Sequence, residues 1–219
     1  MPCIARFLLA ALALCGPLAH AQPTGRLNDT GQTQCNDGSN NMVACTAANT
    51  GDASTMPRQD ARFGRDAAAA AGQLTKVGGG AAGFDFTALD ASGNATTPGS
   101  HVCVRDNVTN LIWSTESIGN VTWAAAQTAA PTYSRCGYTS GWRVPTRREL
   151  LSIVHHRFFS PTIDGAYFPA TQTASYWSSD TYAYASSIGN AWIVDFSNGS
   201  TLVERKINTN PVRLVHSGP

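Results

Sequence analysis

Four short blocks constrain this chain most, each placing a tryptophan beside turn or capping residues. They are Asp106-Asn107-Val108-Thr109-Asn110-Leu111-Ile112-Trp113, Gly141-Trp142-Arg143-Val144-Pro145-Thr146-Arg147-Arg148-Glu149-Leu150, Tyr176-Trp177-Ser178-Ser179-Asp180 and Ala191-Trp192-Ile193-Val194-Asp195-Phe196-Ser197-Asn198-Gly199. Large rings at short intervals between turns predict a small α+β domain with an aromatic core. No block holds a nucleophile–base pair or a metal-ligand spacing, so the expectation is a binding module and not an enzyme.

Local signals set the elements. Thr122 is a plausible N-cap for a helix through Trp123 and Gln127, stopped before Pro131. Thr146 followed by Glu149 is a capping box and predicts a helix over residues 147–156. Its apolar face is Leu150, Leu151, Ile153 and Val154, with Arg147, Arg148 and Arg157 outward. Strands are expected over residues 101–105, 111–114, 175–179, 191–196, 201–206 and 212–215, with Trp192, Val194 and Phe196 on one face. Asn198-Gly199 predicts a type I′ hairpin turn.

Upstream, the composition changes. Arg6, the apolar run 7–14 and Ala19-His20-Ala21 read as a signal peptide over residues 1–21, cleaved near Ala21. Cys15 offers a lipoprotein alternative that Leu14 fits poorly. Residues 22–100 are rich in Gly, Ala, Thr, Asn and Asp and form a small appendage that cannot offset its ordering entropy by itself. Within it, residues 66–72 suit a turn or two of helix, and Gly83-Phe84-Asp85-Phe86 suits a strand that docks its phenylalanines on the main domain, residues 101–219. No later run is long and apolar enough to span a membrane. Cys35, Cys45, Cys103 and Cys136 remain beyond the leader and predict two disulfides. Of three connectivities, Cys35–Cys45 with Cys103–Cys136 is favoured, because each pair lies in one segment of like composition.

The charge pattern narrows the partner. With 13% charged residues and a net charge of +1, no global field favours nucleic acid. The local exception is Arg143, Arg147, Arg148, His155, His156 and Arg157, with Arg205 and Lys206 beside the last strands. Guanidinium forks suit sulfate and carboxylate groups. The plainer reading is a solvated helix face, with Arg143 paired to an acid such as Asp195. Tyr182 and Tyr184, in a Ser/Ala/Tyr-rich loop, are the surface aromatic candidates, whereas the tryptophans read as core. His155 and His156 read as helix C-terminal residues. Asp106, Asn107, Asp180, Asp195 and Asn198 suggest turn caps, with calcium as the alternative and no other cofactor implied.

In this order the blocks resemble the Lcl C-terminal domain family, named for a bacterial collagen-like adhesin. Its members show Asp-Asn-x-Thr-x-Leu-x-Trp, Trp-Arg-x-Pro-Thr-x-x-Glu-Leu, Trp-Ser-Ser and Val-Asp-Phe-x-x-Gly, and the resemblance spans roughly residues 103–215. It implies an exported protein, secreted, periplasmic or at the cell surface, with a C-type-lectin-like or sulfatase-modifying-factor-like fold. Two helices ahead of an antiparallel sheet suit that fold. For the adhesin it implies trimeric binding of sulfated glycans. This chain has no Gly-x-y repeat, so it lacks the stalk, and it has no cysteine after Cys136, so it lacks the sulfatase-modifying pair. The expectation is therefore a non-enzymatic adhesin for sulfated or acidic glycans. The alternative is an envelope- or pilus-associated protein-interaction module.

Overall fold

The computed structural model describes residues 28–39, 41–45 and 59–218; the expected signal peptide and Cys15 lie outside them. Strands β1 (Cys35–Asn36) and β2 (Met42–Val43) form a small hairpin. The Asp37 carboxylate fixes its turn by accepting from the Ser39 and Asn41 amides, and the Cys35–Cys45 disulfide closes it. Two short helices follow, α1 (Asp60–Phe63) and α2 (Arg65–Ala70).

Strands β3 (Phe86–Leu89), β4 (Cys103–Asp106) and β5 (Ile112–Thr122) begin an antiparallel sheet that β9 (Thr209–His216) completes in the order β3-β4-β5-β9. The Asp106 carboxylate builds the β4–β5 turn by accepting from the Val108 and Thr109 amides. Asn110 takes the left-handed conformation there (φ 61°), which asparagine tolerates. β5 runs without a loop into α3 (Trp123–Ala129), because the Thr122 hydroxyl caps the helix at the Ala125 amide. A 3₁₀ turn at Ala130–Thr132 ends it, and Cys103–Cys136 ties that end back to β4. Helix α4 (Arg147–Leu151) precedes a three-stranded antiparallel meander of β6 (Ser175–Thr181), β7 (Asn190–Asp195) and β8 (Ser200–Arg205).

The result is α+β, with α3 and α4 as the two α-helices of the 101–219 region but two larger sheets where one was expected. Most strands are buried on both faces. Trp113 belongs to a core with Phe84, Phe86, Tyr176 and Phe196, while its neighbour Ile112 joins Trp142, Trp177 and Leu214 on the other side. Phe84 and Phe86 dock as expected, but the strand starts at Phe86 instead of covering 83–86, and β3 pairs with β4 along its whole length. Among the described residues, no helix is long and apolar enough to cross a membrane.

Two local expectations are corrected. The predicted helix over 147–156 stops at Leu151. The Ser152 hydroxyl bonds back to the Glu149 carbonyl, and the Ile153 and Val154 amides shift to three-residue bonds. The His155 and His156 amides then find distant carbonyls, Thr162 and Thr30. The β7–β8 connection is not a type I′ turn. Asp195 pairs with Ser200 across a four-residue loop in which Gly199 (φ 78°), and not Asn198, takes positive φ. The Asp195 carboxylate accepts from the Ser197 amide and shapes the loop from within.

Arg213 on β9 is fully buried and fastens the molecule across its middle. One terminal nitrogen donates to the Ser114 and Thr115 carbonyls, and the other donates to the Thr171 hydroxyl. Its guanidinium lies 5.0 Å from the centre of the Phe168 ring. Burial pushes its pKa down from the usual range. A lysine cannot reproduce the planar fork. Arg213→Lys is expected to lower stability by about 2–3 kcal/mol, read by denaturant unfolding.

Candidate functional site

One carboxylate organises the start of α4. Glu149 accepts both terminal nitrogens of Arg143, at 2.7 and 2.6 Å, and also the Thr146 amide at 2.8 Å. The Thr146 hydroxyl answers by accepting from the Glu149 amide, which completes the predicted capping box. Arg143 thus pairs with Glu149 and not with Asp195. Burial opposes the ionised form of Glu149, but the Arg143 fork and the Thr146 amide outweigh it and hold its pKa below the ordinary value. Asp180 adds a second carboxylate at the same helix end by accepting from the Arg147 amide at 2.8 Å.

This geometry delivers Arg147 to a ring. Its guanidinium lies 4.1 Å above Trp192, which is only partly buried. Tyr182 meets Trp192 edge-on at 5.3 Å, and Tyr184, 64% exposed, stacks on Tyr182 at 6.3 Å. On β8, Val203 stands opposite Trp192 in register, and Arg205 stands opposite Asn190. Side chains alternate along a strand, so Val203 and Arg205 share the Trp192 face.

The structure therefore gathers Arg147, Tyr182, Tyr184 and Arg205 at one end of the meander. Lys206 forms a second cation–ring pair, 4.1 Å above Trp123 and bonded to the Thr181 hydroxyl. Trp123 packs against the Trp177 core, so this pair belongs to the other side of the sheet. Arg148 is exposed one residue along α4, and Arg157 is exposed past the helix end, in the segment whose His156 amide reaches Thr30. Neither stacks on Trp192.

Trp123 and Trp192, expected in the core, are only partly buried and each carries a cation on its ring, while Trp113, Trp142 and Trp177 are buried as expected. His155 also departs from expectation. It is buried, stacked on Phe84 with the tilted Phe158 ring on it as well, and burial lowers its pKa. The polar residues weighed for calcium serve as caps and braces. Asp106, Asp180 and Asp195 accept backbone amides, Asn198 accepts from the Ser200 amide, and Asn107 donates to Asp85.

The model of the family described as Lcl C-terminal domain matches residues 102–216. No curated protein matches the chain.

Glu149→Gln removes the charge that Arg143 and the Thr146 amide share. It is expected to cost about 1–3 kcal/mol at neutral pH. Because the folded carboxyl titrates below its ordinary value of 4.5, the advantage of the native chain over the variant is full above that pH. It disappears as the pH falls through the folded pKa, which paired acid-unfolding curves would show.

Proposed function

The chain belongs to the Lcl C-terminal domain family, and from that premise we propose an exported, non-enzymatic binding module that holds sulfated or acidic glycans on the Trp192 face. The observation that carries this reading is the Arg147 guanidinium placed over the Trp192 indole, 4.1 Å from the ring centre. The ring quadrupole holds the cation, and a guanidinium's five N–H donors suit an oxyanion. Tyr182 and Tyr184 add exposed ring surface suited to the C–H faces of sugars, and Arg205 adds a second charge. Two disulfides favour an oxidising, extracytoplasmic location. We read the order of elements, with two helices ahead of a meander and β9 returning beside β5, as C-type-lectin-like.

The test is retention on heparin or dextran sulfate. Binding should weaken as salt screens the contacts. Arg147→Ala should lower affinity at least about fivefold, the equivalent of ~1 kcal/mol, and Arg157→Ala should leave it unchanged. Equal loss in both variants, or in neither, would exclude this face.

One observation favours the alternative of an envelope-protein module. β8 is the outer strand of its sheet, with Leu202 49% and Val203 36% exposed. An edge strand with apolar side chains suits strand addition by a partner. On that reading, capture of the partner resists salt and is lost in Leu202→Lys.

A further inference from the structure

Away from the Trp192 face, three carboxylates meet where the segment around Asp29 crosses the two N-terminal helices. One oxygen each from Asp29, Asp60 of α1 and Asp66 of α2 lies within 4.8 Å of the other two. A hard divalent ion takes oxygen ligands at about 2.3–2.6 Å, so opposite ligands across one calcium ion stand about 5 Å apart. The cluster has the span that such an ion needs.

A second observation points the same way. Asp66 is 2% exposed, and its Oδ2 has no hydrogen-bond partner; Asp29 Oδ2 is buried without one as well. The other oxygen of each is used, with Asp66 Oδ1 accepting from the Gly83 amide and Asp29 Oδ1 from the Thr30 and Gly31 amides. The Thr30 hydroxyl bonds Asp60 Oδ2. Burying a carboxylate oxygen with no donor is costly, and one shared cation would satisfy both orphans.

The surroundings are shaped for this approach. Lys76 donates to the Gly80 and Ala82 carbonyls, and Arg65 Nε donates to the Gly83 carbonyl, which pins the loop against α2. At Gly83 a Cβ would lie 1.6 Å from Asp29 Oδ2, so any side chain there would expel that carboxylate. Burial first, and then the adjoining Asp29 carboxyl, push Asp66 up to about 8.

We propose that Asp29, Asp60 and Asp66 form a binding site for a divalent cation of the calcium class, which locks the segment around Asp29 onto α1 and α2. The lock extends to the core. Neighbouring Asn28 donates to the buried Asp106 carboxylate and accepts from the Asp85 amide. Asp60 is exposed and gives the ion its entrance, with remaining coordination positions filled by water.

The experiment is calorimetric titration of the oxidised full chain, stripped with chelator, with calcium chloride. One saturable site with Kd in the range of about 10⁻⁵–10⁻³ M is expected, together with a calcium-dependent rise in the unfolding temperature. Asp66→Asn and Asp60→Asn should each weaken binding at least tenfold. Asp66→Asn keeps the shape and removes charge crowding, and Asp60→Asn changes only an exposed residue, so at least one folded variant is assured. No saturable heat up to about 10 mM, ten times the weakest extracellular range, would overturn the site. So would undiminished affinity in both variants, which would place calcium elsewhere and leave these acids as a proton-sharing group.

Discussion

The Glu149 carboxylate sits at a junction where three parts of the chain must agree. It closes the capping box of α4, takes the Arg143 fork and lies only partly exposed. Arg143 in turn exchanges both backbone hydrogen bonds with Val215 of β9. One ionised group therefore fixes the first turn of α4 relative to the terminal strand. Arg147 emerges from that same turn, so the cation over Trp192 inherits its position from an ion pair beneath it. The surface feature depends on a partly buried charge balance, because a neutral residue at 149 would leave Arg143 without its anion.

Arg213 solves a related problem differently. It carries a positive charge into the core with no carboxylate beside it, and its terminal nitrogens end on two carbonyls and one hydroxyl. Aromatic rings cover it, Phe168 at 5.0 Å and Tyr176 at 5.9 Å. Dipoles and ring quadrupoles stand in for a counter-ion. The Ser114 and Thr115 carbonyls lie in β5 and Thr171 precedes β6, so this one side chain links the two larger sheets.

What was legible in the sequence was local. Thr146 and Glu149 are three residues apart, so their reciprocal bonds follow from spacing alone, and the family blocks are contiguous runs. The disulfide pairing followed because each pair lies within one segment of like composition. What was hidden depended on distant partners. The end of α4 was set by Thr162 and Thr30 carbonyls that no helical pattern contains. Trp192 read as core because β7 alternates, yet its ring faces Arg147 and an edge strand instead of another layer. Asp29, Asp60 and Asp66 carry no spacing signature, since the loop held at Gly83 brings the first and last together.

The family match begins at residue 102, but the sheet does not. β3 pairs with β4 through all four of its residues, and Phe84 and Phe86 lie at 0% and 1% exposure in the core. Trimming the chain to the matched span would strip a row of hydrogen-bonding partners from β4 and open an aromatic-sized void beside Trp113 and Phe168. Such a fragment would carry a bare, sticky strand edge and invite pairing with its own copies. The recognisable family segment and the piece of chain that can stand alone in water are therefore different lengths.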